Sequence, residues 1–135
     1  MILDHPFGVG LGNWGSAAEA YVISGRDLDY PHNVFVEVAA ELGLVLGLGL
    51  ALWVALMAGS RVRRVVRMVR RDPGGARLAV LVLALFTFHL LCSLVSGDLS
   101  DARLMFLTLG MLVAATVTPR TAVVSARIAM RQVPA

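Results

Sequence analysis

Residues 42–58 read LGLVLGLGLALWVALMA, and this run of 17 residues without a charge decides the fold class. A second run, residues 78–95 (LAVLVLALFTFHLLCSLV), has 18 residues, with His89 its only readily titratable polar group. A third, residues 104–118 (LMFLTLGMLVAATVT), has 15. A helix needs about 20 residues, with a range near 17–25, to cross the hydrocarbon core. The pattern therefore predicts about three transmembrane helices, the third of them short.

The composition supports a membrane protein of the all-α class. The chain of 135 residues is 58% hydrophobic and has a mean hydropathy of +0.78. Soluble domains are typically about 45–50% apolar. We therefore expect a multi-pass, all-helical protein whose apolar side chains face lipid or other helices.

The twelve basic residues are all arginine, and their distribution predicts the topology. Residues 60–77 hold seven arginines and one aspartate, whereas residues 1–33 have a net charge of −3. Because cytoplasmic loops collect Arg and Lys, we expect a multi-pass membrane protein with its N-terminus outside and its C-terminus in the cytoplasm. The predicted segments are an outer segment 1–32, helix 33–59, a basic linker 60–77, helix 78–96, an outer loop 97–103, helix 104–118 and a cytoplasmic tail 119–135.

The basic linker has the pattern of an amphipathic helix. Its arginines recur at three- and four-residue steps, and valines fill the opposite face. We expect the first helix to continue along the anionic inner leaflet until the sequence DPGG, residues 72–75, stops it. A nucleic-acid patch is the alternative for such an arginine run, but the flanking spans explain the charge without a nucleic acid partner.

The stretch YPHNVFVEVAAELGL, residues 30–44, places polar groups at the start of the first apolar helix. Asn33 is a good N-cap residue. Asn33, Glu37 and Glu41 are four residues apart, so a continuous helix would carry them on one stripe below His32. The simplest interpretation is an interfacial cap with two solvated glutamates, and the alternative is part of an outward-facing site.

Two further patterns have competing interpretations. GLGNWG, residues 10–15, matches a dinucleotide-binding motif formally, but only nine residues precede it. The preferred interpretation is a glycine turn near the membrane surface, with Trp14 as an interface anchor.

His89 lies within a span, where an ionisable group suggests function. A neutral histidine bonded to a neighbouring helix is the preferred interpretation. No pair of histidines has ligand spacing, so we expect no metal.

Two more features concern packing and the outer loop. Gly43 and Gly47 form a GxxxG pattern that permits close helix contact. The loop SGDLSDARLMF, residues 96–106, contains Asp98, Asp101 and Arg103. This loop is either a polar turn with a local ion pair or part of an outward-facing site shared with His32.

The blocks HPFGVGLGNW, YPHNVFVEVAAELGLVLG and SGDLSDARLMFLTLGM, in that order, resemble the C-terminal part of the O-antigen ligase and polymerase family. The family's signature is His, then Asn, Ser or Gln, nine residues, Gly, and Gly, Thr or Tyr three positions later. His32, Asn33 and Gly43 match this signature, whereas Leu46 departs from it and Gly47 follows one residue later. The resemblance covers most of residues 5–113.

The resemblance implies a class C glycosyltransferase fold and transfer of a glycan from a polyprenyl-diphosphate carrier to an acceptor glycan or lipid. It implies that His32 acts on the acceptor hydroxyl or positions it, with Asn33, Glu37, Arg26 and Arg103 as candidate substrate-binding residues. It implies neither a metal nor a cofactor, because diphosphate is already a good leaving group.

Family members have ten or more spans, so the resemblance implies a C-terminal fragment whose partners include the remaining helices of a longer chain, as well as membrane lipids. Whether this chain is an enzyme by itself is therefore left open. The alternative is a small non-enzymatic integral membrane protein, such as a transporter or an assembly subunit, whose helices pack through Gly43 and Gly47.

Overall fold

A computed structural model of the chain describes residues 1–21, 31–95 and 102–117. Within these residues the protein consists of helices and turns and contains no strand. The helices are α1 (Trp14–Ala18, followed by the 3₁₀ turn Glu19–Tyr21), α2 (Val34–Glu41), α3 (Leu44–Arg71), α4 (Arg77–Val95) and α5 (Arg103–Thr116). The expectation of an all-helical chain is confirmed for this part of the molecule.

Helix α3 continues from the apolar run through the arginines without interruption, as the sequence predicts. It ends at Arg71, where Asp72 adopts an extended backbone conformation. The Asp72 carboxylate then accepts a hydrogen bond of 3.0 Å from the N–H of Gly75. This turn and Pro73, which lacks an N–H donor, stop the helix and direct the chain into α4.

The predicted continuous helix 33–59 is wrong, because the chain turns between α2 and α3. Gly43 has φ +102, in the region that favours glycine, and breaks the helical path. Gly47 of α3 lies so close to Ala39 of α2 that a Cβ on the glycine would lie 2.4 Å from the Ala39 Cβ. Both residues are four positions from Gly43, so α2 folds back against the first turns of α3.

The N-terminal loop causes this turn by binding both helix ends with its main chain. The N–H groups of Val9 and Gly10 donate to the carbonyls of Ala40 and Glu41 at 3.0 and 2.9 Å. The N–H of Leu44 donates to the carbonyl of Pro6 at 3.0 Å. Helix ends leave such groups without partners, and the loop supplies them from a distant part of the sequence.

Helices α4 and α5 make the most extensive packing contact, and α3 and α2 lie against them. The largest fully buried side chains come from three helices: Val34, Phe86, Met105 and Leu112. At one end of the bundle Asn33 of α2 contacts Leu94 of α4. At the other end Arg61 and Arg64 of α3 contact Thr116 of α5. The α4–α5 pair is therefore antiparallel, and residues 32–33, 94–95 and 103 share the first end.

Helices α3 and α4, of 28 and 19 residues, are long and apolar enough to cross a membrane. Helix α5 has 14 residues, or about 21 Å at 1.5 Å per residue, which is shorter than the hydrocarbon core of about 30 Å. Many large apolar side chains on all three helices point away from the described core, including Val45 and Val95, which are 81% and 73% exposed. Length and composition thus indicate two candidate membrane helices.

Candidate functional site

The side chain of Asn33 holds the start of α2 and ties it to the end of α4. Its Oδ1 accepts hydrogen bonds from the N–H groups of Phe35 and Val36 at 3.0 and 3.2 Å, which confirms the predicted N-cap. Its Nδ2 donates to the carbonyl of Leu94 at 3.1 Å. Because that carbonyl lies in the last turn of α4, the Asn33 amide bonds main-chain groups at the ends of two helices that have no partner within their own helix. Asn33 therefore fixes the backbone on which His32 stands.

His32, the residue before this cap, is exposed and has φ +52. It is the only non-glycine residue with positive φ among the described residues. The left-handed region costs an L-residue roughly 1–2 kcal/mol, although His adopts it more readily than most residues. Such strain persists only where surrounding contacts impose it, and the Asn33 bonds are such contacts. The result is an exposed imidazole on a constrained backbone beside the positive end of α2.

This arrangement suits proton transfer next to an anion. A neutral imidazole can accept a proton from a hydroxyl group. The dipole at a helix N-terminus favours a bound phosphate or carboxylate, although the N–H groups of Phe35 and Val36 already donate to Asn33. Glu37 lies in the first turn of α2 and is half-buried.

The other predicted site residues are placed only in part. Arg103 is exposed at the first turn of α5, at the same end of the bundle as His32. Arg26, Asp98 and Asp101 lie outside the described residues. The structure therefore places Arg103 at the end of the bundle that contains His32. The expected roles of Arg26, Asp98 and Asp101 stay predictions.

Glu41 corrects the expectation of two solvated glutamates. Its side chain is only 5% exposed, because the N-terminal loop and α1 cover the end of α2. The carboxylate accepts a hydrogen bond of 3.3 Å from the N–H of Trp14, the first residue of α1. A carboxylate at a helix N-terminus is favourable, so Glu41 caps α1 from another helix. Trp14 is half-buried in this contact.

Gly8 is a structural residue that the sequence analysis missed. It has φ +86, and a Cβ at this position would lie 2.2 Å from the carbonyl oxygen of Glu41. The loop can approach α2 this closely only because residue 8 lacks a side chain. The signal in the sequence was the series of glycines in FGVGLG, whose target could not be read from local spacing.

A shallow cleft of about 600 Å³ lies between the N-terminal loop and α1 and includes His5, Asn13, Ser16 and Tyr21. The Tyr21 hydroxyl donates to Asp4 Oδ2 at 3.0 Å. The amino-terminal ammonium and then this hydroxyl lower the pKa of Asp4. The same hydrogen bond raises the pKa of Tyr21, because ionisation would place a phenolate beside a carboxylate. This contact closes the loop onto the 3₁₀ turn that follows α1.

The remaining sequence patterns have structural outcomes within the described residues. Gly10 and Gly12 have positive φ in a turn, which agrees with the glycine-turn interpretation of GLGNWG. The Nδ1 of His89 is buried without a hydrogen-bond partner, so the expected bond of that nitrogen to a neighbouring helix is absent from the described part of the chain. The ring instead makes an edge contact with Phe88 at 5.5 Å between centroids. No group of potential metal ligands occurs among the described residues.

Comparisons with known proteins add no family to this description: no protein-family model, curated protein or solved structure matches the chain.

Proposed function

We propose that this chain is the C-terminal part of a membrane glycosyltransferase that moves a glycan from a polyprenyl-diphosphate carrier to an acceptor glycan or lipid. The proposal combines the resemblance to the O-antigen ligase and polymerase family with the geometry around His32. In this proposal His32 accepts the proton of the acceptor hydroxyl as that oxygen attacks the anomeric carbon. The carbon–oxygen bond to the diphosphate breaks, and the diphosphate leaves on its prenyl carrier.

The strained and exposed backbone of His32 is the observation that carries the proposal. A residue with no role beyond covering a helix end would not need the left-handed conformation, and glycine or asparagine would occupy it at lower cost. The Asn33 amide holds that backbone against α4. In the proposal Asn33 is thus a positioning residue, and its second Nδ2 hydrogen is available to substrate.

The donor's diphosphate would lie at the N-terminus of α2, with Arg103 as a candidate cation at the same end of the bundle. Arg103 shares the His32 end of the bundle and is exposed, and phosphate binding by arginine is strong because the guanidinium donates two parallel hydrogen bonds. Arg26 and Glu37 are the other proposed substrate-binding residues. This site faces the outside of an inner membrane, with the arginines of α3 in the cytoplasm.

The alternative is a small non-enzymatic integral membrane protein, such as a transporter or an assembly subunit, whose helices pack through Gly43 and Gly47. Gly47 is covered by Ala39 of the same chain, and Gly43 lies against the main chain of Pro6 and Phe7. Both glycines of the GxxxG pattern are therefore used inside the chain. A partner helix would have to displace α2 and the N-terminal loop to reach them.

The decisive experiment replaces His32 in the chain together with any coding sequence that precedes it in frame. His32→Gly and His32→Asn remove the imidazole but keep a residue that tolerates positive φ, whereas His32→Ala would also strain the backbone. Because a general base contributes about 10²–10⁴-fold, both variants should lose at least about 100-fold in glycan transfer from a prenyl-linked donor.

Thermal stability of the purified variants is the control for this experiment. Both variants should remain folded, because glycine and asparagine tolerate the positive φ of residue 32. Transfer at the wild-type rate by either variant would remove His32 from the mechanism. Cysteine labelling that placed residue 32 in the cytoplasm would reject the proposed topology independently of activity.

A further inference from the structure

The opposite end of the bundle contains an unneutralised basic cleft. Its lining comes from α3 and from the last residue of α5: Arg64, Arg67, Met68, Arg71 and Thr116. The volume of the cleft is about 260 Å³. That is roughly nine times the ~30 Å³ that one water occupies in the liquid. The cleft can thus hold a small anion with some of its water, but not a folded partner.

The three arginines of the cleft lie on one stripe of α3, at positions i, i+3 and i+7. Within the described residues no carboxylate lies within ion-pair distance of any arginine of this helix, and the one ion pair found there joins the amino terminus to Asp4. The nearest acid along the chain, Asp72, uses its carboxylate to accept the N–H of Gly75. The stripe therefore concentrates positive charge without a counter-charge from the described residues.

The hydrogen bonds of these arginines leave many donors available. Arg64 Nη1 donates to the carbonyl of Thr116 at 3.1 Å, which orients its guanidinium at the negative end of α5. Arg67 uses its Nε on the carbonyl of Arg63, and Arg71 has no hydrogen-bond partner among the described residues. Since a guanidinium carries five N–H groups, most of the donors at the cleft are unused.

Arg61 adds charge behind the cleft. Its Nη1 lies 3.5 Å from Thr116 Oγ1, and its Nε is buried without a hydrogen-bond partner within the described chain. A buried unpaired donor on a cation is costly unless an anion approaches it. Residues 119–135, which follow α5, hold three arginines and no acidic side chain, so they offer no side-chain carboxylate to the cleft.

We infer that this cleft is a binding site for a phosphate group, held by Arg64, Arg67 and Arg71 at the end of the bundle opposite His32. The ligand chemistry is a phosphodiester or phosphomonoester with negative charge, because planar guanidinium groups match phosphate oxygens with paired hydrogen bonds. The two sources are the headgroup of an anionic phospholipid and a free phosphate. This site is independent of the proposed glycan transfer.

The test compares two double variants of the full chain that remove the same charge. Arg67→Gln with Arg71→Gln removes two cleft arginines, whereas Arg63→Gln with Arg70→Gln removes two exposed arginines of α3 that do not line the cleft. Glutamine keeps helix propensity, and circular dichroism with thermal unfolding checks that both variants fold. A general attraction to an anionic surface would weaken equally in the two.

Binding is measured in detergent by native mass spectrometry with phosphatidylglycerol, with zwitterionic phosphatidylcholine as the reference lipid. We expect the cleft pair, Arg67→Gln with Arg71→Gln, to lose affinity for phosphatidylglycerol by at least about tenfold, because two arginines that donate charge-assisted hydrogen bonds are removed. The control pair, Arg63→Gln with Arg70→Gln, should lose less than about twofold. Equal losses in the two pairs, or wild-type binding by the cleft pair, would overturn the inference.

A second titration separates the sources of the phosphate. If inorganic phosphate raises the unfolding temperature of the wild type but not of the cleft pair, the site accepts a free phosphate. If phosphatidylglycerol does so and inorganic phosphate does not, the site is specific for a lipid headgroup. If neither ligand changes the unfolding temperature of the wild type differently from that of the cleft pair, the site is rejected.

Discussion

The Nδ2 of Asn33 donates a hydrogen bond of 3.1 Å to the main-chain carbonyl of Leu94, 61 residues later in the chain. One amide thereby joins the start of α2 to the end of α4. The consequence is that the residue before it, His32, is held by tertiary structure as well as by its own helix. A change at Asn33 should therefore act on two helices.

Two substitutions at Asn33 separate its two roles. Asn33→Asp keeps an oxygen for the N–H groups of Phe35 and Val36 but loses the donor to Leu94, whereas Asn33→Ala loses both. With about 1 kcal/mol for the cap and about 1 kcal/mol for the tie, Ala should cost roughly twice as much stability as Asp. Hydrogen exchange of residues 34–41 should stay slow in Asn33→Asp and become fast in Asn33→Ala. An Asn33→Asp variant as stable as the wild type would show that the Leu94 bond contributes nothing.

Gly47 and Gly49 form a matched pair within α3. A Cβ at Gly47 would meet Ala39, whereas a Cβ at Gly49 would meet nothing within 4 Å. Gly47→Ala should therefore push α2 from α3 and destabilise the fold by about 1–3 kcal/mol. Gly49→Ala should be neutral or stabilise by up to about 1 kcal/mol, since alanine favours helix. Thermal unfolding followed by circular dichroism checks both, and an equal effect of the two substitutions would contradict the α2–α3 contact.

The Glu41 carboxylate should control the environment of Trp14. In a Trp53→Phe background Trp14 is the only tryptophan, so its emission reports on α1 directly. Glu41→Ala should shift that emission to the red and increase quenching by acrylamide, because a helix of five residues is marginal without its tertiary partner. Glu41→Gln retains an acceptor oxygen and should resemble the wild type. Unchanged Trp14 emission in Glu41→Ala would show that the contact does not hold α1.

The Asp4–Tyr21 hydrogen bond should give the N-terminal loop a pH window. The pKa of Asp4 is lowered, so its contribution to stability is lost as the pH falls through that lowered value. The pKa of Tyr21 is raised, so its contribution is complete below about pH 10 and is lost as the pH rises through the raised value. The contact is therefore complete at neutral pH.

Ultraviolet absorbance in a Tyr30→Phe background measures this effect, because Tyr21 is then the only tyrosine. Asp4→Asn should return the pKa of Tyr21 towards its ordinary value. Identical titrations with and without Asp4→Asn would refute the hydrogen bond in solution.

Local sequence patterns predicted the parts of the fold that depend on local interactions. Asn33 was recognisable as a cap from its position before an apolar run, and the spacing of the arginines indicated that α3 continues to Arg71. Both features depend on residues within a few turns of one another. Chain composition likewise indicated helices able to enter a membrane.

The turn at Gly43 was not predictable in the same way, because its cause lies in the N-terminal loop. Residues 42–58 have no charge or proline that would end a helix, so they indicated one continuous span. The reason that two helices meet there is visible only in the tertiary hydrogen bonds: Val9 and Gly10 donate to the end of α2, and the Pro6 carbonyl accepts from Leu44. The burial of Glu41 follows from that same tertiary contact, whereas the left-handed backbone of His32 lies beside the bond between Asn33 and Leu94.

The joint between the N-terminal loop and the two helix ends is made of main-chain atoms, with Gly8 and Gly43 providing the clearance. The other side chains of the joint can therefore be substituted without loss of its main-chain hydrogen bonds. Backbone shape, with glycine at residues 8 and 43, is what this joint requires.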